Sequence, residues 1–212
     1  MHFSSFATSS GRELQESLLY DVPDETLVSY KPGTMDAALG IDRVAAVIGR
    51  CDALFVAESE LDLLLRHLPE FDVATNVGAK LGLLFARRSS RGHERPLMIT
   101  LMTGMEDPFP AELVRLYWGT VRQEGTIGPD WPGYHPETKD LAGARDAIVA
   151  GVLFGLLRGR PPIDCANLAN VLAVSALAEN GCRAALPRAA QVRDRWRELM
   201  GGEPPRWLAP YG

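Results

Sequence analysis

The sequence has 212 residues, of which 46% are hydrophobic and 23% are charged, and its formal net charge is −5. This length is enough for one large domain or two small ones with a substantial core, and the composition is ordinary for a globular protein. The acidic balance argues against nucleic acid or an anionic membrane as the main partner.

Three cysteines, Cys51, Cys165 and Cys182, are widely spaced and form no CxxC pair. An odd number at this spacing argues against a disulfide framework or a zinc site and favours a reducing cytoplasm. Cys182 follows Gly181 at an expected helix exit, and we predict a small buried residue there. The first residues lack a basic segment followed by an apolar one, and no apolar run approaches the roughly 20 residues that span a bilayer. We therefore expect a soluble, cytoplasmic protein.

The first part of the chain alternates short apolar runs with helical patterns. A strand is predicted at "HFSSF", and a helix capped by Ser9 or Ser10 follows, with Leu14, Leu18 and Leu19 at helical spacing. The next strand is predicted over 26–30 and stops at Pro32-Gly33. Three elements come after it: a short helix at "DRVAAVIGRC", a buried strand at "DALFVAE" and a helix at "SELDLLLRHL".

The second part begins less regularly and ends in helices. We predict two strands around a turn at Gly78–Gly82 in "FDVATNVGAKLGLLFAR", an apolar run at "LMITLM", a helix at "AELVRLYWGTVRQ" and a loop at "GTIGPDWPGYHPETKD". Helices are predicted over 143–157 and 164–179, and a third at "RAAQVRDRWRELM". The alternation predicts an α/β protein with a mainly parallel sheet.

The helix over 143–157 carries its charges only at its start, in Arg145 and Asp146. A helix amino terminus offers backbone N–H groups and the positive end of the helix dipole, so it can bind a phosphate. An aspartate beside that phosphate could accept a proton from an attacking hydroxyl group. The simpler alternative is that Asp146 only stabilises the helix dipole, by about 0.3–1 kcal/mol.

Several segments, in order, resemble the ribokinase-like (PfkB) carbohydrate kinase family. "DLAGARDAIVAGVLFGLLRGR" resembles the carboxyl-terminal signature of that family, commonly D-T-T-G-A-G-D-A-F-x-A-G, and "ANLANVLAVSALAENGCRAALP" resembles its helix beside adenine and the turn after it. Upstream, "VSYKPG", "CDALFVAESELDLL" and "VGAKLG" resemble the strand, the glutamate-containing segment and the strand-turn-strand of the family. The order agrees over nearly the whole chain except residues 87–139.

The resemblance implies a ribokinase-like three-layer α/β/α fold and an ATP-dependent kinase acting on a sugar or nucleoside hydroxyl, with ATP and Mg²⁺ as cofactors. It implies one role for each matching position. These are Asp146 as catalytic base; Gly143, Ala144 and Arg145 as the anion hole; Glu60 as an indirect magnesium residue; Asn170 near adenine; and Gly78 near the nucleotide phosphates.

Departures from the family pattern keep a second function open. Arg145 replaces a glycine and could either obstruct the anion hole or bind the phosphate, Ala57 replaces an asparagine, and Leu141 replaces a threonine. Relative to the family, the sequence lacks the amino-terminal strands, the lid and most sugar-contacting residues. We expect a single domain over 1–212 that forms a homo-oligomer or binds a partner chain supplying the missing portion. The alternative function is a degenerate or split relative that binds nucleotide or serves as a structural subunit.

Overall fold

The structure is a computed structural model that describes residues 1–6, 8–90, 96–102, 114–120, 123–127, 139–184 and 186–208. The chain divides into two compact units, the first formed by Met1–Leu101 with Tyr117–Thr126 and the second by Met102–Leu116 with Ile127–Gly212. This division does not test the expectation of a single domain over 1–212, which stays a prediction.

One sheet contains the six strands of the described residues, in the order β1-β2-β3-β4-β5-β6. The strands are β1 (His2–Ser4), β2 (Ser29–Lys31), β3 (Ala53–Ala57), β4 (Leu97–Met102), β5 (Val114–Thr120) and β6 (Gln123–Ile127). Strand β2 pairs in parallel with β1 and with β3, and Phe3 lies opposite Tyr30. The mainly parallel α/β sheet predicted from the sequence is confirmed.

Eight α-helices accompany these strands in the described part of the chain. They are α1 (Ser9–Asp21), α2 (Gly33–Ala37), α3 (Ala45–Arg50), α4 (Glu58–Leu65), α5 (Val77–Ser89), α6 (Ala144–Leu157), α7 (Pro162–Leu177) and α8 (Ala189–Met200). Short 3₁₀ turns lie at Phe71–Val73 and Arg206–Leu208. Within the described residues, no helix is long and apolar enough to cross a membrane.

The centre of the sheet consists of strands without a polar face. All five residues of β3 and all six of β4 are buried, as expected for parallel strands covered on both faces. Asp52, just before β3, links it to the chain on either side. Its carboxylate accepts a hydrogen bond from the Val28 N–H at 2.8 Å, and its carbonyl accepts one from the Met98 N–H at 2.9 Å.

The buried guanidinium of Arg88 completes the end of α3. It donates hydrogen bonds to the carbonyls of Ile48, Gly49 and Cys51 at 3.1–3.3 Å. These carbonyls lie at a helix terminus, where the last four have no partner within the helix. Arg88 therefore joins the last turns of α5 to α3.

The prediction of two strands over residues 71–87 is wrong, because most of this segment forms α5. The side chain of Asn76 accepts a hydrogen bond from the Ala79 N–H and caps the helix. Leu81, Leu84 and Phe85 are buried at the spacing of one helix face. Gly78 is thus in the first turn of a helix and not in a turn between strands.

The helix predicted at "AELVRLYWGTVRQ" is also wrong where the structure describes it. Residues 114–120 form β5 and residues 123–127 form β6. Val114 and Leu116 are buried on either side of exposed Arg115, which is the alternation of a strand with one covered face. Residues 111–113 and 121–122 lie outside the described residues, as do residues 128–138 of the predicted loop.

Helix α1 has the predicted position, and of its three leucines at helical spacing only Leu19 packs against the core. Thr8, not Ser9 or Ser10, is its capping residue, since its side chain accepts from the Gly11 N–H. Leu14 and Leu18 are 56% and 38% exposed, whereas Gln15 is buried. The hydrogen bond from the Gln15 amide to the Ser4 carbonyl of β1 decides this orientation of the helix.

Helices α6 and α7 approach each other closely because glycine occupies two positions of α6. A Cβ atom on Gly151 would lie 2.6 Å from the Cα atom of Ala169, and one on Gly155 would lie 2.6 Å from the sulfur of Cys165. Real Cβ atoms do not approach other atoms so closely. The buried residues of α6 include Ala147, Ile148 and Val152.

We predict that Gly151→Ala destabilises the protein by about 1–3 kcal/mol, because the backbone of Ala169 must move to admit the methyl group. Gly82→Ala in α5 is the matched control. Its Cβ would have no neighbour within 4 Å, so the helix propensity of alanine should stabilise the protein by about 0.5–1 kcal/mol. Urea denaturation measures both changes. Equal effects of the two substitutions would contradict the packing argument.

Candidate functional site

Helix α6 begins at a glycine that no other residue could replace without rearrangement. Gly143 is its amino-terminal cap and has a φ of +81°, in the left-handed region that favours glycine. A Cβ atom there would also lie 2.7 Å from the carbonyl oxygen of Cys182. No side chain caps this helix, so its terminus presents backbone donors and the positive end of the dipole.

The next three residues form the first turn of α6 and differ in exposure. Ala144 is buried, Arg145 is half-buried and Asp146 is exposed. Asp146 therefore places a carboxylate on the accessible side of a helix terminus that has no side-chain cap. Of the predicted site residues, those at 143–146 lie together because they are consecutive in the chain.

Asp140 holds the turn before α6 in place, a role that the sequence analysis missed. Its carboxylate accepts hydrogen bonds from the Ala142 N–H at 2.9 Å and from the Gly181 N–H at 2.8 Å. These backbone donors lower the pKa of Asp140 below its ordinary value. The Lys139 N–H also donates to the Leu177 carbonyl, so the entry to α6 is attached to the end of α7. The sequence did contain a local signal for this role, since an aspartate side chain often accepts a hydrogen bond from the backbone N–H two residues later.

Cys182 is exposed, so the prediction that it is buried is wrong. Its backbone lies against Gly143 at the start of α6, which leaves the thiol at the surface. Cys51 and Cys165 are buried and unpaired, and burial raises the pKa of the Cys165 thiol to about 11.

Asn170 lies in α7 and is only 1% exposed. Neither its Oδ1 atom nor its Nδ2 atom has a hydrogen-bond partner among the described residues. A buried amide without partners costs roughly 1–3 kcal/mol for each unsatisfied group, so this position calls for a polar partner such as water or a ligand.

Glu60 is 3% exposed and caps its own helix. Its Oε2 atom accepts a hydrogen bond from the Ala57 N–H at 2.8 Å, one of the donors that α4 leaves unsatisfied at its start. The sequence analysis missed this role too, although a glutamate three residues after a helix start is a known capping signal. Among the described residues, no group of three or more His, Cys, Asp or Glu side chains could hold a metal ion.

Gly78 is exposed in the first turn of α5, two residues after the capping Asn76. It belongs to the first unit, as does Glu60, whereas Asn170 and residues 143–146 belong to the second. The roles implied for these residues by the family resemblance stay predictions.

We predict that Asp140→Asn lowers the free energy of unfolding at pH 7, because the amide cannot accept both backbone hydrogen bonds. The folded pKa of Asp140 lies below its unfolded value of about 3.9, so its contribution is complete above that pH and is lost as the pH falls through the folded pKa. The difference between wild type and variant should therefore shrink below about pH 4.

Urea denaturation over this pH range measures the effect, with Asp194→Asn as control. Asp194 forms an exposed ion pair with Arg197 within α8, and such pairs contribute little. An Asp140→Asn variant as stable as the wild type at pH 7 would show that the two hydrogen bonds do not secure the turn.

Among known proteins, only solved structures match this chain. No protein-family model matches the chain, and no curated protein is similar enough in sequence to match it. Solved structures of kinases do match, with three examples. The nucleoside kinase of Methanocaldococcus jannaschii, an archaeal member of the ribokinase family, has a TM-score of 0.63 at 17% identity, covering 93% of this chain and 55% of that one.

The other two examples agree. The nucleoside kinase of Burkholderia thailandensis in complex with inosine has a TM-score of 0.68 at 16% identity, covering 96% of this chain and 57% of that one. A putative ribokinase II from E. coli, in complex with ATP and Mg²⁺, has a TM-score of 0.65 at 14% identity, covering 93% of this chain and 58% of that one.

The chain thus spans little more than half the length of the kinases that it matches. At identities this low, the structural likeness establishes the fold alone, and it agrees with the parallel sheet and with the order of the motif segments along the chain. The protein has the ribokinase-like α/β fold of sugar and nucleoside kinases, as a partial version that corresponds to about half of each of them.

Proposed function

We propose that the protein is an ATP-dependent phosphotransferase that phosphorylates a hydroxyl group of a sugar or nucleoside. The observation that carries the proposal is the exposed carboxylate of Asp146 in the first turn of α6, a helix that starts at left-handed Gly143 without a side-chain cap. This arrangement combines a proton acceptor with an anion-binding helix terminus, and phosphoryl transfer uses both.

In the proposed reaction, Asp146 accepts the proton of the acceptor hydroxyl while the hydroxyl oxygen attacks the γ-phosphorus of ATP. The new oxygen–phosphorus bond forms as the bond between the γ-phosphorus and the bridging oxygen breaks, and ADP leaves with that oxygen. The products are the phosphorylated acceptor, ADP and a proton on Asp146, which is later released to water.

Backbone donors at the start of α6 would stabilise the negative charge on the transferring phosphoryl group. Gly143, Ala144 and Arg145 are the anion-hole residues in this proposal. The uncapped helix terminus supports it, because no side chain occupies the backbone donors of the first turn.

Besides the helix terminus for the phosphates, the chain has a residue that suits the adenine of ATP. The amide of Asn170, which has no hydrogen-bond partner in the part of the chain that the structure describes, offers a donor and an acceptor, as the edge of an adenine ring requires. Mg²⁺ would neutralise phosphate charge, and we propose that Glu60 supports it through water and that Gly78 lies near the phosphates. ATP and Mg²⁺ are present in the E. coli ribokinase II complex.

The same likeness supports a sugar or nucleoside as the acceptor, since the Burkholderia nucleoside kinase was solved in complex with inosine. We propose that the protein forms a homo-oligomer, or that it binds a partner chain that supplies the portion of these kinases that the chain does not span. Unpaired cysteines, one of them exposed, favour the cytoplasm as the compartment of this activity.

A second candidate function is a relative that binds nucleotide without transferring phosphate. The observation in its favour is Glu60, whose Oε2 atom accepts the hydrogen bond of its own helix start and whose side chain is almost completely buried. This helix-capping role is sufficient to explain a glutamate at position 60 without a metal ion. The two candidates differ in whether the carboxylate of Asp146 matters for turnover.

We predict that Asp146→Asn lowers kcat by about 10²–10⁴-fold, the usual contribution of a general base, while the affinity for ATP changes little. Turnover is measured with Mg-ATP and with ribose, inosine and adenosine as acceptors, and affinity by calorimetric titration with Mg-ATP and Mg-ADP. Asp164→Asn is the matched control, since Asp164 is an acid in the first turn of the neighbouring α7.

Three results would decide between the candidates. Turnover that survives Asp146→Asn would exclude Asp146 as the base. Nucleotide binding without turnover by the wild type would favour the non-catalytic relative. A thermal unfolding midpoint unmoved by millimolar ATP, ADP and AMP with magnesium would contradict both, because ligand at 100 times its Kd stabilises by about 2.7 kcal/mol.

The substitution Arg145→Gly separates two roles for a half-buried side chain at the anion hole. We predict that the glycine variant binds ATP about tenfold or more weakly, because a guanidinium next to a bound phosphate forms charge-assisted hydrogen bonds of about 1.5–3 kcal/mol. Calorimetric titration with Mg-ATP measures the change, and Arg158→Gly at the other end of α6 is the control. Tighter binding by the variant would show that Arg145 obstructs the site.

A further inference from the structure

A cleft of about 360 Å³ lies in the first unit between α1 and the loop that connects α2 to α3. One wall is a single face of α1, because the lining residues 9, 12, 13 and 16 follow the spacing of one helix face. The charged and apolar residues that line the cleft are Arg12, Glu13 and Glu16 on α1 and Leu39, Asp42 and Arg43 on the loop. A cleft of this size is large enough for a small molecule.

Two of the charges in the cleft are compensated by residues that do not line it. Asp42 accepts two hydrogen bonds from Arg87, at 2.7 and 2.8 Å. Arg12 lies 3.7 Å from the completely buried carboxylate of Asp36, and it donates a hydrogen bond to the Phe6 carbonyl at 3.3 Å. The Oδ1 atom of Asp36 has no hydrogen-bond partner among the described residues, so the nearby guanidinium of Arg12 compensates its charge.

The two glutamates on the α1 wall have no such compensation. Glu16 is half-buried, and neither it nor Glu13 has a hydrogen bond or an ion pair in the part of the chain that the structure describes. Arg12 precedes Glu16 by four residues, a spacing at which opposite charges on a helix pair, but its guanidinium contacts Asp36 instead. Glu13 and Glu16 are three residues apart and repel each other, so a cation in the cleft would stabilise both.

The cleft also offers donors for an anion. Arg43 on the loop is exposed and has neither a hydrogen bond nor an ion pair among the described residues. Arg12 forms its hydrogen bond through Nη1, and its Nε and Nη2 atoms have no hydrogen-bond acceptor in the described part of the chain. Guanidinium groups with unused donors bind carboxylates through charge-assisted hydrogen bonds. They also repel a ligand that carries only positive charge.

We propose that this cleft binds a free basic amino acid such as lysine. The ammonium groups of the ligand contact Glu13 and Glu16, and its carboxylate contacts Arg43 and the unused donors of Arg12. With Asp42 compensated by Arg87 and Arg12 by Asp36, two acids and one base remain in the cleft. A basic amino acid carries two cations and one anion, which is the complementary set of charges.

Calorimetric titration of the full chain with L-lysine tests the proposal, together with two analogues that each lack one charged group. Cadaverine has both ammonium groups of lysine but no carboxylate, and norleucine has the carboxylate and the α-ammonium group but no side-chain ammonium. We expect a Kd for L-lysine of about 1 mM or lower, and at least about tenfold weaker binding of either analogue. Low ionic strength is used because salt screens partly exposed charges.

Two single substitutions connect the charges of the ligand to the two walls of the cleft. Glu16→Gln should raise the Kd for L-lysine by about tenfold or more and remove the preference for L-lysine over norleucine. Arg43→Gln should raise the Kd by a similar factor and remove the preference for L-lysine over cadaverine. Asp21→Asn is the matched control, because Asp21 is an acid of α1 that does not line the cleft. Circular dichroism confirms that each variant is folded.

Three results would overturn the proposal. The first is a Kd for L-lysine above about 1 mM in the wild type. The second is binding of cadaverine or norleucine as tight as that of L-lysine, which would show that the cleft does not recognise both charges of an amino acid. The third is an affinity for L-lysine that neither Glu16→Gln nor Arg43→Gln changes. All three are independent of whether the chain transfers phosphate, because the measurement is the binding of an amino acid.

Discussion

The second unit depends on how closely two helices can approach each other. The surfaces of α6 and α7 meet at Gly151 and Gly155, where Ala169 and Cys165 occupy the space that side chains would need. Close contact of this kind multiplies dispersion interactions and excludes water, and it fixes α6 along its length. A helix fixed in this way also fixes its first turn, and with it the position of Asp146.

A second constraint acts at the start of α6 and complements the first. Gly143 lies against the backbone of Cys182, and the carboxylate of Asp140 bridges Ala142 and Gly181. The turn before α6 is thereby attached to the turn after α7. Because these contacts connect the start of α6 to the end of α7, the uncapped terminus is positioned without any side chain occupying the anion-binding donors that a cap would use.

Elements with one dominant signal could be predicted from the sequence. The apolar run of β3 is too short for a core helix and carries no polar face, and in residues 144–157 a glycine precedes a helix that is apolar from Ala147 onward. The ordered motif segments added the fold family, which the structural likeness to sugar and nucleoside kinases confirms. Local pattern and chain order agreed in these cases, and the prediction was right.

Elements with competing signals could not be predicted. Residues 77–89 contain two glycines, which suggested a turn, but the cap by Asn76 and the buried face of Leu81, Leu84 and Phe85 determine a helix. Residues 114–120 contain leucine and arginine, which are helix formers, yet the tertiary position beside β4 makes them a strand. The exposure of Leu14 was equally inaccessible, because it depends on Gln15 bonding to Ser4, eleven positions away in the chain.

The three acidic residues singled out by the motifs or by their geometry illustrate why a motif and a function are separate conclusions. Glu60 and Asp140 accept backbone hydrogen bonds that hold a helix start and a turn, so protein folding alone is sufficient to explain them. Asp146 is different, because its carboxylate is exposed at a helix terminus that α6 leaves without a side-chain cap. A chain that had kept only the fold of a kinase would still need the first two acids, because they hold a helix start and a turn. Whether the site transfers phosphate therefore depends on Asp146, whereas Glu60 and Asp140 are explained by the helix start and the turn that they hold.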